Sequence, residues 1–338
     1  MVFFFSLLYS KTPKIRVSHC KIKPKSVTSL ETITLGGIKQ AILIRGHNIE
    51  APILLFLHGG PGFPEMDVAY KFQRKLEEHF IVVNWDQRGA GKSFSRKIPK
   101  ESMTIEQFIS DAHELIQILR ERFGKEKIYL VGHSWGTTLG LLLSQRYPEL
   151  FFAYIGVGQV INPLESEYIS LEFVRSVAKD KKNKKALKEL AKIQIPYNKN
   201  IKEFLIQRKW LRKFGGTTYE KSGMFLFKIA LGSPESSFKD LFRLFKGLNF
   251  SLENMSSEIE KINFFKTITE LSIPVYLCIG RYDYQVSFKL VEQYFNQLKS
   301  PKKKLIWFEK SAHVPHLEEP EKFDNLLINI VLPETYSQ

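Results

Sequence analysis

The stretch Ile128-Tyr-Leu-Val-Gly132-His133-Ser134-Trp135-Gly136-Thr-Thr-Leu139 decides the fold. Its first four residues form a short apolar run of strand type, and its end opens a helical pattern that continues to Arg146. Between them, Gly132-His133-Ser134-Trp135-Gly136 fits G-x-S-x-G, the sharp strand-to-helix turn that lifts a serine hydroxyl above a sheet. Glycines on both sides let such a turn close without a Cβ clash. Five residues alone are a weak signal. The strand before them and the helix after them make it a strong one.

The same rhythm runs outward from this turn. Strand-like runs are expected at Glu31–Leu35, Gln40–Ile44, Pro52–His58, Phe80–Trp85, Ile128–Gly132, Phe152–Val157, Pro274–Ile279 and Lys304–Phe308. The first two, joined at Gly36-Gly37, read as an antiparallel hairpin. Helices are expected at Met66–His79, Thr104–Phe123, Ser134–Arg146, Gln285–Leu298 and Pro320–Ile330. Parallel strands need such crossovers, so the pattern predicts an α/β fold with a mostly parallel, doubly wound sheet of about eight strands. From Ile161 to Ser257 no strand-like run occurs, which predicts a helical cap inserted over the sheet's active edge. The expected organisation is a core of residues 30–160 and 258–335, a cap of 161–257 and an N-terminal extension of 1–29.

A nucleophilic serine needs a base, and the base needs an orienting acid. His313 follows the last expected strand, and Asp283, in Gly280-Arg-Tyr-Asp283, follows the strand before it. The chain order Ser134, Asp283, His313 is that of an α/β-hydrolase, with all three at the carboxyl ends of strands. His316 is the rival base, while His133, beside the nucleophile, reads as a packing or hydrogen-bonding residue. A tetrahedral intermediate also needs an oxyanion hole. The backbone N–H of Trp135 is one expected donor. The second is expected from His58-Gly59-Gly60-Pro61-Gly62, with Gly60 first and Gly59 second. His58 itself reads as a structural tie within that loop.

His58-Gly-Gly-Pro-Gly62, Asn84-Trp-Asp-Gln-Arg-Gly-Ala-Gly-Lys-Ser93, Gly132-His-Ser-Trp-Gly136 and Gly280-Arg-Tyr-Asp283 together resemble the prolyl aminopeptidase (proline iminopeptidase) family of α/β-hydrolases. The resemblance spans about Thr32 to Val160 and Ile273 to Ile330. It implies release of an N-terminal residue, often proline, from short peptides without metal or cofactor, and gives Ser134, Asp283 and His313 the triad roles. Phe63 and Thr137 stand where family members often carry glycine. The family also uses cap glutamates to hold the substrate ammonium. Glu165, Glu167, Glu172, Glu203 and Glu220 are the candidates here, each weighed against a solvated surface role.

Composition narrows the rest. The chain has 338 residues, 43% hydrophobic and 13% aromatic, which excludes disorder and disulfide-stapled mini-domains. Its two cysteines, Cys20 and Cys278, offer no disulfide framework, and Cys278 reads as a buried thiol. Of the net +15, +11 falls between Arg175 and Lys213, which holds fourteen Lys and Arg against three Asp and Glu. Without a nucleic-acid-binding motif, that charge reads as a solvated lysine-rich face. Val2–Leu8 is apolar but too short to span a membrane and lacks the basic start of a signal peptide; it reads either as the stub of an anchor that touches a membrane or as a short strand or helix packed on the core, and a cytoplasmic protein is expected. No His, Cys and Asp cluster shows metal-ligand spacing, and no cofactor is implied. The expected activity is that of a serine hydrolase, an aminopeptidase acting on small peptides. An esterase or amidase acting on a small ester or amide is the alternative. A non-catalytic ligand-binding protein is a remoter one.

Overall fold

The computed structural model describes residues 10–17, 21–197, 201–221 and 224–336. Val2–Leu8 and Cys20 lie outside the described residues. The strands are β1 (Val27–Leu35), β2 (Ile38–Gly46), β3 (Ile53–Leu57), β4 (Ile81–Asp86), β5 (Ile128–His133), β6 (Phe151–Val157), β7 (Val275–Gly280) and β8 (Lys303–Phe308). They form one eight-stranded sheet in the order β1-β2-β4-β3-β5-β6-β7-β8. β1 and β2 pair antiparallel and β2 meets β4 antiparallel, while every later pairing is parallel. The hairpin is longer than expected, because β1 already begins at Val27 rather than at Glu31.

Both faces of the central strands are covered, which is why they read as continuous apolar runs. Leu55, Leu57, Val83 and Leu130 face one core with helices α2 (Ile105–Phe123) and α3 (Trp135–Arg146). Leu54, Phe56, Val82, Tyr129 and Val131 face the other, with Phe323, Leu326 and Leu327 near the C-terminal end. Cys278 is buried in this second core, and burial pushes its thiol pKa up. Thr104 caps α2 through its side chain, and Gly124 ends that helix in the left-handed region.

Three helices differ from their expected bounds, each for a polar reason. Helix α1 stops at Phe72 (Met66–Phe72), because the next residue, Gln73, turns inward to exchange hydrogen bonds with Asn84 at 2.7 and 3.2 Å. The chain then makes a 3-10 turn at Leu76–Glu78, where buried Glu77 meets Arg45 at 2.9 Å. The helix expected from Gln285 starts only at Phe288, because the Gln285 and Val286 N–H groups both donate to Asp283 Oδ1 at 2.9 Å. Near the C-terminus, Pro320–Leu326 widens into a π turn at Leu327–Val331. Pro333, with no N–H to continue a regular ladder, follows it.

Between β6 and β7 lie α4 (Pro163–Asp180), α5 (Lys184–Leu190), α6 (Ile201–Lys213), α7 (Phe225–Leu231) and α8 (Phe238–Ile259). The expected boundary at 257 falls inside the last turn of α8. Leu171, Val174, Ala186, Leu190, Trp210 and Leu211 give α4, α5 and α6 a small core of their own. Lys181, Lys182, Lys184, Lys185 and Lys188 are exposed while Ala186 and Leu190 are buried, as a solvated face requires. Lys92, in the turn after β4, ties α8 to α1, reaching Asp240 at 2.9 Å and Asp67 at 3.4 Å. Among the described residues, no helix is long and apolar enough to cross a membrane.

One buried ion pair joins the hairpin, α2 and the loop after β4. Arg88 donates from Nε and Nη2 to both carboxylate oxygens of Asp111, at 2.8 and 2.9 Å, and from Nη2 to the Gly36 carbonyl at 2.9 Å. Gln40 and Gln107 donate to the same carboxylate at 2.7 and 2.8 Å. Removing one partner of such a pair strands the other charge in the core. Asp111→Ala should therefore lower unfolding stability by about 3–5 kcal/mol, measured by urea denaturation. A loss below about 1 kcal/mol, typical of a surface pair, would contradict this account of the pair.

Candidate active site

Ser134 occupies the turn between β5 and α3 with φ +51°, a conformation that non-glycine residues rarely adopt. Two close approaches enforce that turn. A Cβ on Gly136 would lie 2.0 Å from the Leu57 carbonyl oxygen, and one on Gly132 would lie 2.6 Å from that of Gly136. The helix thus leaves the strand at a crossing that only glycine permits. Ser134 N–H donates to the Val157 carbonyl at 2.9 Å, which fixes the turn to β6.

The loop after β8 brings His313 to this serine. His313 Nε2 stands 2.8 Å from Ser134 Oγ, and Nδ1 stands 2.9 Å from Asp283 Oδ2. Asp283 is held by the two N–H donors on its other oxygen, so its free oxygen is aimed at the imidazole. A carboxylate only accepts, so the His313 proton sits on Nδ1 and leaves Nε2 to accept from the serine hydroxyl. That is the tautomer a general base needs. All three side chains are buried.

The His313 loop is braced on two sides. Its N–H donates to the Thr217 carbonyl at 3.1 Å, a contact from the inserted segment. Glu318 accepts from the Ala312 and Tyr219 N–H groups at 2.7 and 2.5 Å, and burial raises its carboxyl to about 7. The rival histidine lies elsewhere. His316 Nε2 faces Glu65 Oε2 at 3.1 Å, and burial lowers its pKa.

Gly60, Ser134 and Trp135 line one cavity of about 430 Å³. Among the described residues, the backbone N–H groups of Gly60 and Trp135 make no hydrogen bond. Gly60 has φ +116°, which glycine adopts readily. Gly59 does not line the cavity, and its carbonyl accepts from Phe63 N–H at 3.2 Å. His58 is a tie: Nδ1 donates to the Gly59 carbonyl at 2.8 Å and Nε2 accepts from Gln87 N–H at 3.0 Å. Burial pushes its pKa down to about 4, so the ring is neutral. Gln87 also accepts from Trp135 Nε1 at 3.0 Å, linking the glycine loop to the elbow.

The cavity walls are largely apolar, with Leu164, Ile195, Phe204, Leu252, Ile259 and Val286 among them. Of the five candidate glutamates, only Glu167 lines it. Its carboxylate is already held by Arg208 at both oxygens and by Tyr197 Oη at 2.8 Å. Glu165 pairs with Asn162, Glu203 accepts from Gln194 N–H, and Glu172 and Glu220 are exposed away from the cavity. The sequence reading missed Glu253 and Glu260, which line the cavity from the end of α8. Neither has an ion pair or hydrogen-bonding side-chain partner among the described residues. Seven residues apart, they lie about two helical turns from one another on one face, and that spacing was their signal.

The fold also assembles a group that no sequence spacing announces. Glu65, His133 and His316 are buried with one donor atom each within 4.8 Å of one another. Each of those atoms shares a hydrogen bond within the group.

The family model described as alpha/beta hydrolase fold matches residues 52–320. A Bacillus subtilis (strain 168) protein named "Probable aminopeptidase YbaC" is 36% identical over 307 residues, covering 90% of this chain and 96% of that one. The proline iminopeptidase of Heyndrickxia coagulans is 26% identical over 280 residues, covering 80% and 87%. Among solved structures, a proline iminopeptidase-related protein from Thermus thermophilus superimposes with a TM-score of 0.64 at 19% identity, over 91% of this chain and 98% of that one. That last likeness speaks to the fold alone. On the family match and the Bacillus subtilis relative, this chain belongs to the alpha/beta hydrolase fold family.

Proposed function

We propose that this protein is a serine hydrolase of the proline iminopeptidase type, releasing the N-terminal residue of short peptides. The observation that carries the reading is the contact chain Ser134 Oγ, His313 and Asp283, at 2.8 and 2.9 Å, opening on the cavity. Ser134 Oγ attacks the carbonyl of the first residue while His313 Nε2 takes its proton. Asp283 stabilises the imidazolium, and the N–H groups of Gly60 and Trp135 hold the oxyanion. His313 then gives the proton to the departing amine. Water, deprotonated by His313, releases the aminoacyl group and restores the serine. The helical insertion serves as a lid, which its contact at Thr217 with the His313 loop supports.

A free N-terminal ammonium entering such a cavity gives up part of its hydration and is stabilised by a carboxylate at the mouth. We assign that task to Glu253 and Glu260, because Arg208 already neutralises Glu167. The names of the Bacillus subtilis and Heyndrickxia coagulans relatives support the same activity. The mostly apolar walls favour a second reading, an esterase for small acyl groups.

Kinetics separate these readings. Ser134→Ala should abolish covalent labelling by a fluorophosphonate, and His313→Ala should lower kcat by several orders of magnitude. Undiminished labelling of Ser134→Ala would remove the nucleophile assignment. An aminopeptidase should cleave prolyl- or other aminoacyl-arylamides and leave their N-acetyl forms untouched. Equal rates on both forms would reject the aminopeptidase and keep the hydrolase. Glu253→Gln and Glu260→Gln should each raise KM for free-amine substrates up to about 5-fold, the worth of a charge pair at a solvated mouth. KM for neutral esters should stay unchanged, and an equal rise for both substrate types would refute the assignment.

A further inference from the structure

Behind the triad, one carboxylate touches two of the site-forming loops from within a third. Glu65 extends from the end of the glycine-rich loop at the start of α1, and its side chain makes no helix cap. One of its oxygens meets His133 Nδ1, in the residue next to Ser134, and the other meets His316 Nε2 at 3.1 Å. His133 Nε2 in turn stands 3.0 Å from the backbone carbonyl oxygen of His313. The rings of His133 and His313 lie 5.1 Å apart, and those of His133 and His316 lie 4.7 Å apart. All of these groups are buried.

The hydrogen count follows from the partners. A carbonyl only accepts, so His133 carries a proton on Nε2. The contact of Nδ1 with Glu65 needs a second proton, shared between the ring and the carboxylate. His316 donates Nε2–H to the same carboxylate, and its buried Nδ1 has no partner.

We propose that Glu65, His133 and His316 are positioning residues that hold the His313 loop at reacting distance from Ser134 through this shared proton. The inference rests on the reading of Ser134, His313 and Asp283 as a triad. Burial opposes the charged form of both Glu65 and His133. Their mutual attraction overrides it, holding the Glu65 carboxyl well below the usual range and raising His133. The other titratable groups facing the pair are His58 from the glycine loop, His313 and His316 from the loop after β8, and Asp283. Because His133 is raised, the clamp is intact below its folded pKa and fails as pH rises through it. Loss of the shared proton would set a bare Nδ1 lone pair against a carboxylate.

Glutamine at position 65 offers a sharp control. Its amide N–H can donate to Nδ1 of a neutral His133, and its carbonyl can accept from His316, so every bond survives without the extra proton. The experiment measures kcat against pH with a neutral 4-methylumbelliferyl ester, which has no amine to titrate. Glu65→Ala and His133→Ala should lower kcat by about 10- to 100-fold with KM little changed, the cost of a base displaced by up to about 1 Å. Glu65→Gln should keep most of the turnover at neutral pH and lack the alkaline fall of the natural protein. Unchanged kcat in both alanine variants, or the same alkaline fall in Glu65→Gln, overturns the inference. So does loss of turnover on chelation with recovery on adding zinc, which would make the cluster a metal site. If an alanine variant fails to fold, the pH profile of Glu65→Gln decides alone. Turnover retained by Ser134→Ala would instead overturn the triad reading beneath.

Discussion

The closeness of helix α3 to the β3 carbonyl edge at Gly136 is the constraint on which the site is built. With no room for a single methyl group there, the chain must turn sharply at Ser134, and the serine accepts a positive-φ backbone as the consequence. That turn lifts Oγ to the carboxyl edge of the sheet, where the loops after β7 and β8 also end. The mutual placement of Ser134, His313 and Asp283 is therefore a property of the sheet's topology as much as of those three residues. A larger residue at Gly136 would disturb the site before it disturbed the core.

Buried polar groups then fix loops that the sheet alone would leave free. Gln87 joins His58 to Trp135, Arg88 joins the hairpin to α2, and Glu318 joins the His313 loop to the insertion. Each connection is bonded at both ends, the condition under which buried polar networks rigidify rather than destabilise. Asp86 shows what burial does beside them, its carboxyl raised to about 7 by desolvation despite Lys92 nearby. The stretch Asn84–Ser93 thus serves the architecture: among its residues, none lines the cavity.

Much of this was legible in the sequence because it is local. The elbow, the βα rhythm and the order of Ser134, Asp283 and His313 need only neighbours along the chain. Helix ends were less legible, since Gln73 and Asp283 stop or delay helices by bonding to partners that periodicity does not see. The substrate side was least legible. Glu167 was a reasonable candidate, yet its charge is taken by Arg208, forty-one residues away, and only folding shows it. Glu253 and Glu260 lie at the far end of a long helix, where their seven-residue spacing puts them on one face but does not say that the face meets a cavity. The Glu65, His133 and His316 group is hidden for the same reason, its outer members being 251 positions apart.

The central claim is that an aminoacyl group passes through Ser134, and trapping that intermediate tests it most directly. The protein would be mixed with an excess of an aminoacyl aryl ester, quenched in acid within milliseconds, digested and read by mass spectrometry. The account predicts one aminoacyl residue added to the peptide that contains Ser134, absent in His313→Ala and absent when the substrate amine is acetylated. An adduct on another peptide, or turnover with no adduct at any quench time, would contradict it.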